Sequence, residues 1–150
     1  MSDINSKAES CQVDFYLIGD ASAGAAKLAC RLALMAWERK QRIFIINPSS
    51  SACDSLDEMM WQFPEGRFLP HARATDPQEN KSPVCLGTIA DLKAADVVIN
   101  LCPEAVPQPE MFSRILEIVP FDKNERQASR EKYKTYLNLG IKPQTHEINT

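Results

Sequence analysis

Short apolar runs separated by helix-forming stretches constrain the fold of this chain more than any other feature of its sequence. They are VDFYLI at 13–18, RIFII at 42–46, VCL at 84–86, VVINL at 97–101 and ILEIV at 115–119. Compact β-branched and aromatic runs of this length suit strands buried on both faces. Between the first two runs, Ala25, Leu28, Ala29, Leu32, Met35 and Ala36 recur at helical spacing, so residues 21–40 read as one long helix. After the second run, Asn47, Pro48 and three serines mark a turn, and Leu56, Met59 and Met60 predict a helix over 51–61. Strands alternating with helices imply an open, mostly parallel sheet with helices on both faces, a doubly wound α/β fold.

The 150 residues, 44% of them hydrophobic, are enough for one core and one domain. The expected domain spans 12–141, between a flexible N-terminus at 1–11 and a polar C-terminal tail at 142–150. That tail, KPQTHEINT, carries Pro143 and has little to bury, so it is expected to fray. The last helix is well specified: Asp122 and Glu125 form a capping-box-like start, Gly140 stands where a C-terminal cap belongs, and the span is about 123–139. Residues 62–82, with Pro64, Gly66, Pro70 and Pro77, read as an ordered surface loop holding one short strand near Phe68.

The N-terminus has no basic and apolar signal pattern, and no segment approaches the roughly 18 continuous apolar residues of a membrane helix. The expected location is the cytoplasm, away from membranes. Cys11, Cys30, Cys53, Cys85 and Cys102 are odd in number and never paired as CxxC, which argues against a disulfide framework or a zinc site. Cys30 and Cys102 fall in apolar stretches and read as small buried hydrophobes. The formal charge of −3 argues against binding nucleic acid through the surface as a whole.

GDASAG at 19–24 follows a strand and opens a helix, where a phosphate loop would stand. A Walker loop needs Lys and Ser or Thr directly after its last glycine, and Ala25, Ala26 and Lys27 are found instead. A dinucleotide loop needs a middle glycine, which is missing. No G-x-S-x-G or H-E-x-x-H occurs, and His71, in a proline-bounded loop, reads as an exposed or packing residue. No catalytic set and no cofactor are expected, and a nucleotide-dependent enzyme on this sheet is the alternative reading. Direct single-strand binding is a weaker third, because aromatics along a basic groove are not evident.

One feature of the last helix opposes the global charge. Arg126, Arg130 and Lys134, at i, i+4 and i+8, lie in one row on one face. Between 123 and 134 five cations, with Lys123 and Lys132 as the others, face two acids, Glu125 and Glu131. Tyr133 and Leu137 flank the row, so the surface suits a ligand that is anionic and apolar together. A plain solvated helix face would give the same charge pattern.

The block IVPFDKNERQASREKYKTYLNLGI at 118–141 resembles the C-terminal block of the chi subunit of bacterial DNA polymerase III holoenzyme, and FYLIGD at 15–20 and LDEMMWQFPEGRFLPH at 56–71 resemble it too. The similarity extends over about 12–141 and is weakest between 72 and 109. It implies a Rossmann-like fold without nucleotide chemistry, and a replication accessory subunit that joins the clamp loader, through the psi subunit, to single-stranded DNA-binding protein. DNA would then be met only indirectly. By position, the resemblance assigns Val119 and Tyr133 to an apolar pocket for that protein's C-terminal residue, and Arg130 to its terminal carboxylate. It assigns Arg126 and Lys134 to the preceding acids, with Leu137 beside them. Arg126 stands where relatives commonly have lysine, which keeps the charge and changes the hydrogen-bond geometry. Trp61, Phe68 and Pro70 match the surface that the family uses for psi, shared with a repair helicase.

Overall fold

The computed structural model describes residues 11–19, 24–62, 69–76 and 82–148. Among them, seven strands form one sheet: β1 (Gln12–Ile18), β2 (Ile43–Ile46), β3 (His71–Arg73), β4 (Val84–Gly87), β5 (Val97–Asn100), β6 (Arg114–Val119) and β7 (Gln144–Ile148). Their order is β3-β4-β2-β5-β6-β1-β7, and every neighbouring pair runs parallel. The helices are α1 (Ala25–Glu38), α2 (Ser50–Gln62) and α3 (Lys123–Asn138). No helix among the described residues is long and apolar enough to cross a membrane.

Strands β2, β4 and β5 are buried at every position, as strands covered on both faces must be. On one face Leu28, Ala29 and Ala33 of α1 and Leu56 and Met60 of α2 pack with Ile43, Ile45, Val97, Ile99 and Leu116. On the other, Tyr136 of α3 packs with Phe15, Phe44, Val98, Ile115 and Val119, and the loop after β5 adds Cys102, Val106 and Phe112. The doubly wound α/β architecture read from the sequence is therefore the observed one, with the sheet parallel throughout. All five cysteines are buried, and burial alone pushes the Cys30 thiol up to about 12.

Helix α3 begins and ends by local chemistry. The Asp122 carboxylate accepts from the backbone N–H of Asn124 (2.8 Å) and Glu125 (3.0 Å), satisfying two donors that the first turn leaves open. At the other end Gly140 takes φ +86°, Ile141 N–H donates to Tyr136 O (3.0 Å) and Gly140 N–H to Leu137 O (3.0 Å), a Schellman motif. Ile141 is buried against the core, and the chain is turned back toward the sheet.

Three expectations need correction here. Residues 144–148, expected to belong to a frayed tail, form β7 beside β1, in register from Asp14↔Gln144 to Ile18↔Ile148. Their anchorage is polar as well as apolar, which a search for apolar runs misses. His146 Nε2 lies 2.9 Å from Asp14 Oδ1, its ring stacks on Tyr16 with centroids 5.0 Å apart, and Ile148 packs on the core. The short strand expected near Phe68 is found instead at His71–Arg73, while Phe68 itself lies outside the described residues. With it His71 lies buried in a strand, so of the two expected alternatives it is the packing residue, its ring against Trp61, and not an exposed one. Helix α1 starts at Ala25; of the expected residues 21–24, Gly24 is its N-cap and 21–23 lie outside the described set.

Candidate functional site

Helix α3 leans over the β1–β7 side of the sheet and leaves a groove of about 190 Å³ between them. Its lining is Phe15 and Leu17 from β1, Thr145 from β7, and Arg126, Ser129, Arg130 and Tyr133 from α3. The apolar part comes from strand alternation, since Phe15 and Leu17 are two residues apart and project to the same face. The helix contributes positions three and four apart, so Arg126, Ser129, Arg130 and Tyr133 share one side. At 190 Å³ the groove is smaller than the roughly 300–1,000 Å³ of small-molecule sites, and it suits one large side chain better than a nucleotide.

The two guanidiniums are held differently. Arg126 is half-buried: its Nη2 donates to Ile18 O (3.0 Å) at the end of β1, and its guanidinium carbon sits 5.7 Å from the centroid of the Phe121 ring. Arg130 is exposed, and its Nη1 donates to Gln127 Oε1 (2.9 Å) on the same helix. Tyr133 lies between the two surfaces, its ring 5.6 Å from that of Phe15 and its hydroxyl donating to Pro143 O (3.4 Å). Ser129 is buried and donates to Arg126 O (2.7 Å), which closes the groove floor without presenting a free hydroxyl proton. Fixed cations beside an apolar floor are a binding arrangement for an anionic, partly apolar ligand.

Of the residues singled out from the sequence, the groove gathers Arg126, Arg130 and Tyr133. Val119 is 2% exposed and belongs to the core against which Tyr133 packs, beneath the groove and not on its wall. Lys134 and Leu137 are exposed further along α3, with Lys134 Nζ 3.7 Å from Glu131 Oε2. That exposed pair is worth little. Phe15, Leu17, Ser129 and Thr145 were not anticipated, although the period-2 parity of Phe15 and Leu17 and the helical spacing of Ser129 were there to be read.

Lys132 departs furthest from the sequence reading, which counted it among the surface cations of α3. Its side chain is 5% exposed, and Nζ donates to Glu117 Oε1 (2.7 Å) and Cys102 O (2.6 Å). Glu117, fully buried in β6, accepts also from the Tyr136 hydroxyl (2.6 Å) and Asn100 Nδ2 (2.9 Å). The Tyr136 hydroxyl oxygen accepts from Val106 N–H (2.9 Å), and burial, reinforced by the Glu117 charge, raises its pKa. These bonds tie α3, β5, β6 and the loop between them into one unit, and so fix which face of α3 is turned to the groove.

At the opposite edge of the sheet Trp61, in the last turn of α2, is 63% exposed, its ring centroid 4.8 Å from that of His71. His71 Nδ1 lies 2.7 Å from Leu69 O; its Nε2 is 3.1 Å from Asp57 Oδ1, close enough for an ion pair but without hydrogen-bond alignment. Pro70, next in the chain, is half-buried. Trp61 and Pro70 thus border one surface, far in strand order from the α3 groove.

Similarity to known proteins bears on the fold and the family. Solved structures similar in fold include S. cerevisiae dbp5 (TM-score 0.67, 11% identity) and T4 UvsW (TM-score 0.67, 7% identity), with 98% and 95% of this chain covered. The chain spans 43% and 42% of those proteins, and at such identities the likeness is one of fold alone. Among curated proteins, DNA polymerase III subunit chi of Pseudomonas aeruginosa is 34% identical over 139 residues, covering 91% of this chain and 96% of that protein. The same subunit of Escherichia coli is 25% identical over 134 residues, covering 85% and 91%. The family model for the DNA polymerase III chi subunit, HolC, matches residues 11–144. With nearly the whole described sheet inside that match, the chain belongs to the DNA polymerase III chi subunit family.

Proposed function

We propose that this chain is a cytoplasmic, non-catalytic replication subunit that holds the acidic C-terminal tail of single-stranded DNA-binding protein in the α3 groove. The observation that carries the reading is the meeting of Phe15, Leu17 and Tyr133 with Arg126 and Arg130 in a space sized for one large side chain. A terminal aromatic residue would fill the apolar floor, Arg130 would pair with its free carboxylate, and Arg126 and Lys134 would attract the acids before it. Titrating a fluorescent acidic peptide ending in Phe, followed by anisotropy, tests the reading: saturable binding near the micromolar range is expected, and none up to about 1 mM contradicts it.

In the same reading, Trp61 and Pro70, with Phe68, form the contact for psi that connects the subunit to the clamp loader, and a repair helicase shares it. Trp61→Ala is expected to remove co-purification with psi while changing stability by no more than about 1 kcal/mol, because the indole is mostly exposed. A loss of about 3–5 kcal/mol in urea denaturation would instead mark Trp61 as a core residue.

A nucleotide-dependent enzyme is the competing reading and is not favoured, since the residues after Gly24 lack the Lys and Ser or Thr that would reach phosphates and magnesium. Calorimetry is expected to find no ATP or NAD binding tighter than about 0.1 mM. A tighter constant for either would reinstate the enzyme reading.

A further inference from the structure

We propose that the acidic peptide held by the α3 groove also adds to the sheet, pairing its backbone with the open edge of β7. The proposal rests on the tail-binding reading above and specifies how the peptide lies. Strand β7 ends the sheet order, with β1 on its only paired side among the described residues. Gly19 N–H donates to Ile148 O (3.0 Å), in register with Ile18↔Ile148. In a strand the N–H and C=O of one residue point the same way and alternate along the chain. Ile148, His146 and Gln144 therefore face β1, and the backbone groups of Thr145 and Glu147 face outward. Pro143, of the same outward parity, has no N–H to leave open.

Thr145 joins this edge to the groove, since its side chain lines the cavity with Phe15, its partner in register across β1. A peptide whose terminal side chain sits in the groove against Phe15 and Tyr133 can thus run alongside β7 with its backbone against Thr145 and Glu147. Edge strands exposing unpaired groups are templates for such addition, with main-chain bonds giving affinity and alternate side chains giving specificity. Charge selects the occupant as an acidic segment: Arg126 and Arg130 line the groove and Lys142 precedes the strand. Glu147 is the acid of this strand and, on the face of Thr145, disfavours an acidic side chain beside it.

The test is a scan of the fluorescent tail peptide with single backbone N-methyl groups, titrated into the unmodified protein. N-methylation removes one donor at a time, so a strand-like pose predicts losses of about five- to tenfold at alternate positions and little change between them. Thr145→Pro removes an outward N–H that the β1 ladder does not use, and is expected to weaken binding similarly at unchanged melting temperature. Thr145→Val, which keeps that N–H and alters only the side chain in the groove, is expected to lose clearly less affinity than Thr145→Pro, and equal losses from the two would overturn the role of the N–H. Unmodified peptide binding with uniform tolerance of N-methylation overturns the strand pose and leaves the tail-binding reading intact. Failure of the unmodified peptide to bind overturns both. Should Thr145→Pro not fold, the methyl scan alone decides.

Discussion

Lys132→Ala is expected to destabilise the protein by about 3–5 kcal/mol, because it leaves the fully buried Glu117 carboxylate without its counter-charge. The same change leaves Cys102 O without the ammonium donor. For a chain of this size the loss corresponds to a fall in melting temperature of roughly 6–20 °C. Thermal and urea unfolding followed by circular dichroism measure it. Lys132→Met combined with Glu117→Gln is expected to lose markedly less, because neither residue then carries a buried charge, while glutamine still offers an oxygen to Tyr136 and Asn100. A single-variant loss below about 1 kcal/mol would mean that the pair is hydrated and contributes nothing to the position of α3.

Arg130→Ala is expected to weaken the acidic-tail peptide about 10- to 100-fold, the range that corresponds to losing charge-assisted hydrogen bonds of roughly 1.5–3 kcal/mol. Guanidinium geometry matters as well as charge, so Arg130→Lys should recover only part of the loss. Arg126 is already committed to Ile18 O and packs on Phe121, so Arg126→Ala is expected to cost less in binding and something in stability. Lys134, exposed and near Glu131, should contribute mainly through its field, with Lys134→Ala costing less than about fivefold. Added salt should reduce that part first, as the Debye length falls below its value of about 10 Å at 0.1 M. Equal losses from Arg130→Ala and Lys134→Ala would contradict the ranking.

How far the sequence could be read depended on whether a feature was apolar and periodic. Strands such as 97–101 and 115–119 stood out as continuous hydrophobic runs, and α3 stood out because Asp122 and Gly140 cap it by local rules. Strand β7 did not, because QTHEI has no such pattern and is held by backbone pairing, the Asp14–His146 contact and one isoleucine. For the same reason Thr145 was missing from the expected site. The groove's cationic side was legible from the i, i+4 spacing of Arg126 and Arg130, whereas its floor required knowing which face of β1 lies under α3. Lys132 was legible in principle: it stands three residues after Ser129 and four before Tyr136, on the buried side of α3, and Glu117 interrupts an apolar strand where only a partnered acid is tolerated. Counting charges along the segment concealed that geometry.

In the proposed function the α3 groove reads the free carboxylate of an acidic, apolar-ended tail. Burying the terminal Phe should supply about 1.5–3 kcal/mol and the charged contacts the rest, leaving net affinity near −8 kcal/mol after ordering costs. The most direct measurement compares free-acid and C-terminally amidated forms of one peptide against the unmodified protein by fluorescence anisotropy. Amidation is expected to weaken binding by about tenfold or more, and by much less against Arg130→Ala, where the partner of the carboxylate is already gone. Equal affinity of the two peptides for the unmodified protein would contradict the role of Arg130 and the account of the groove built on it.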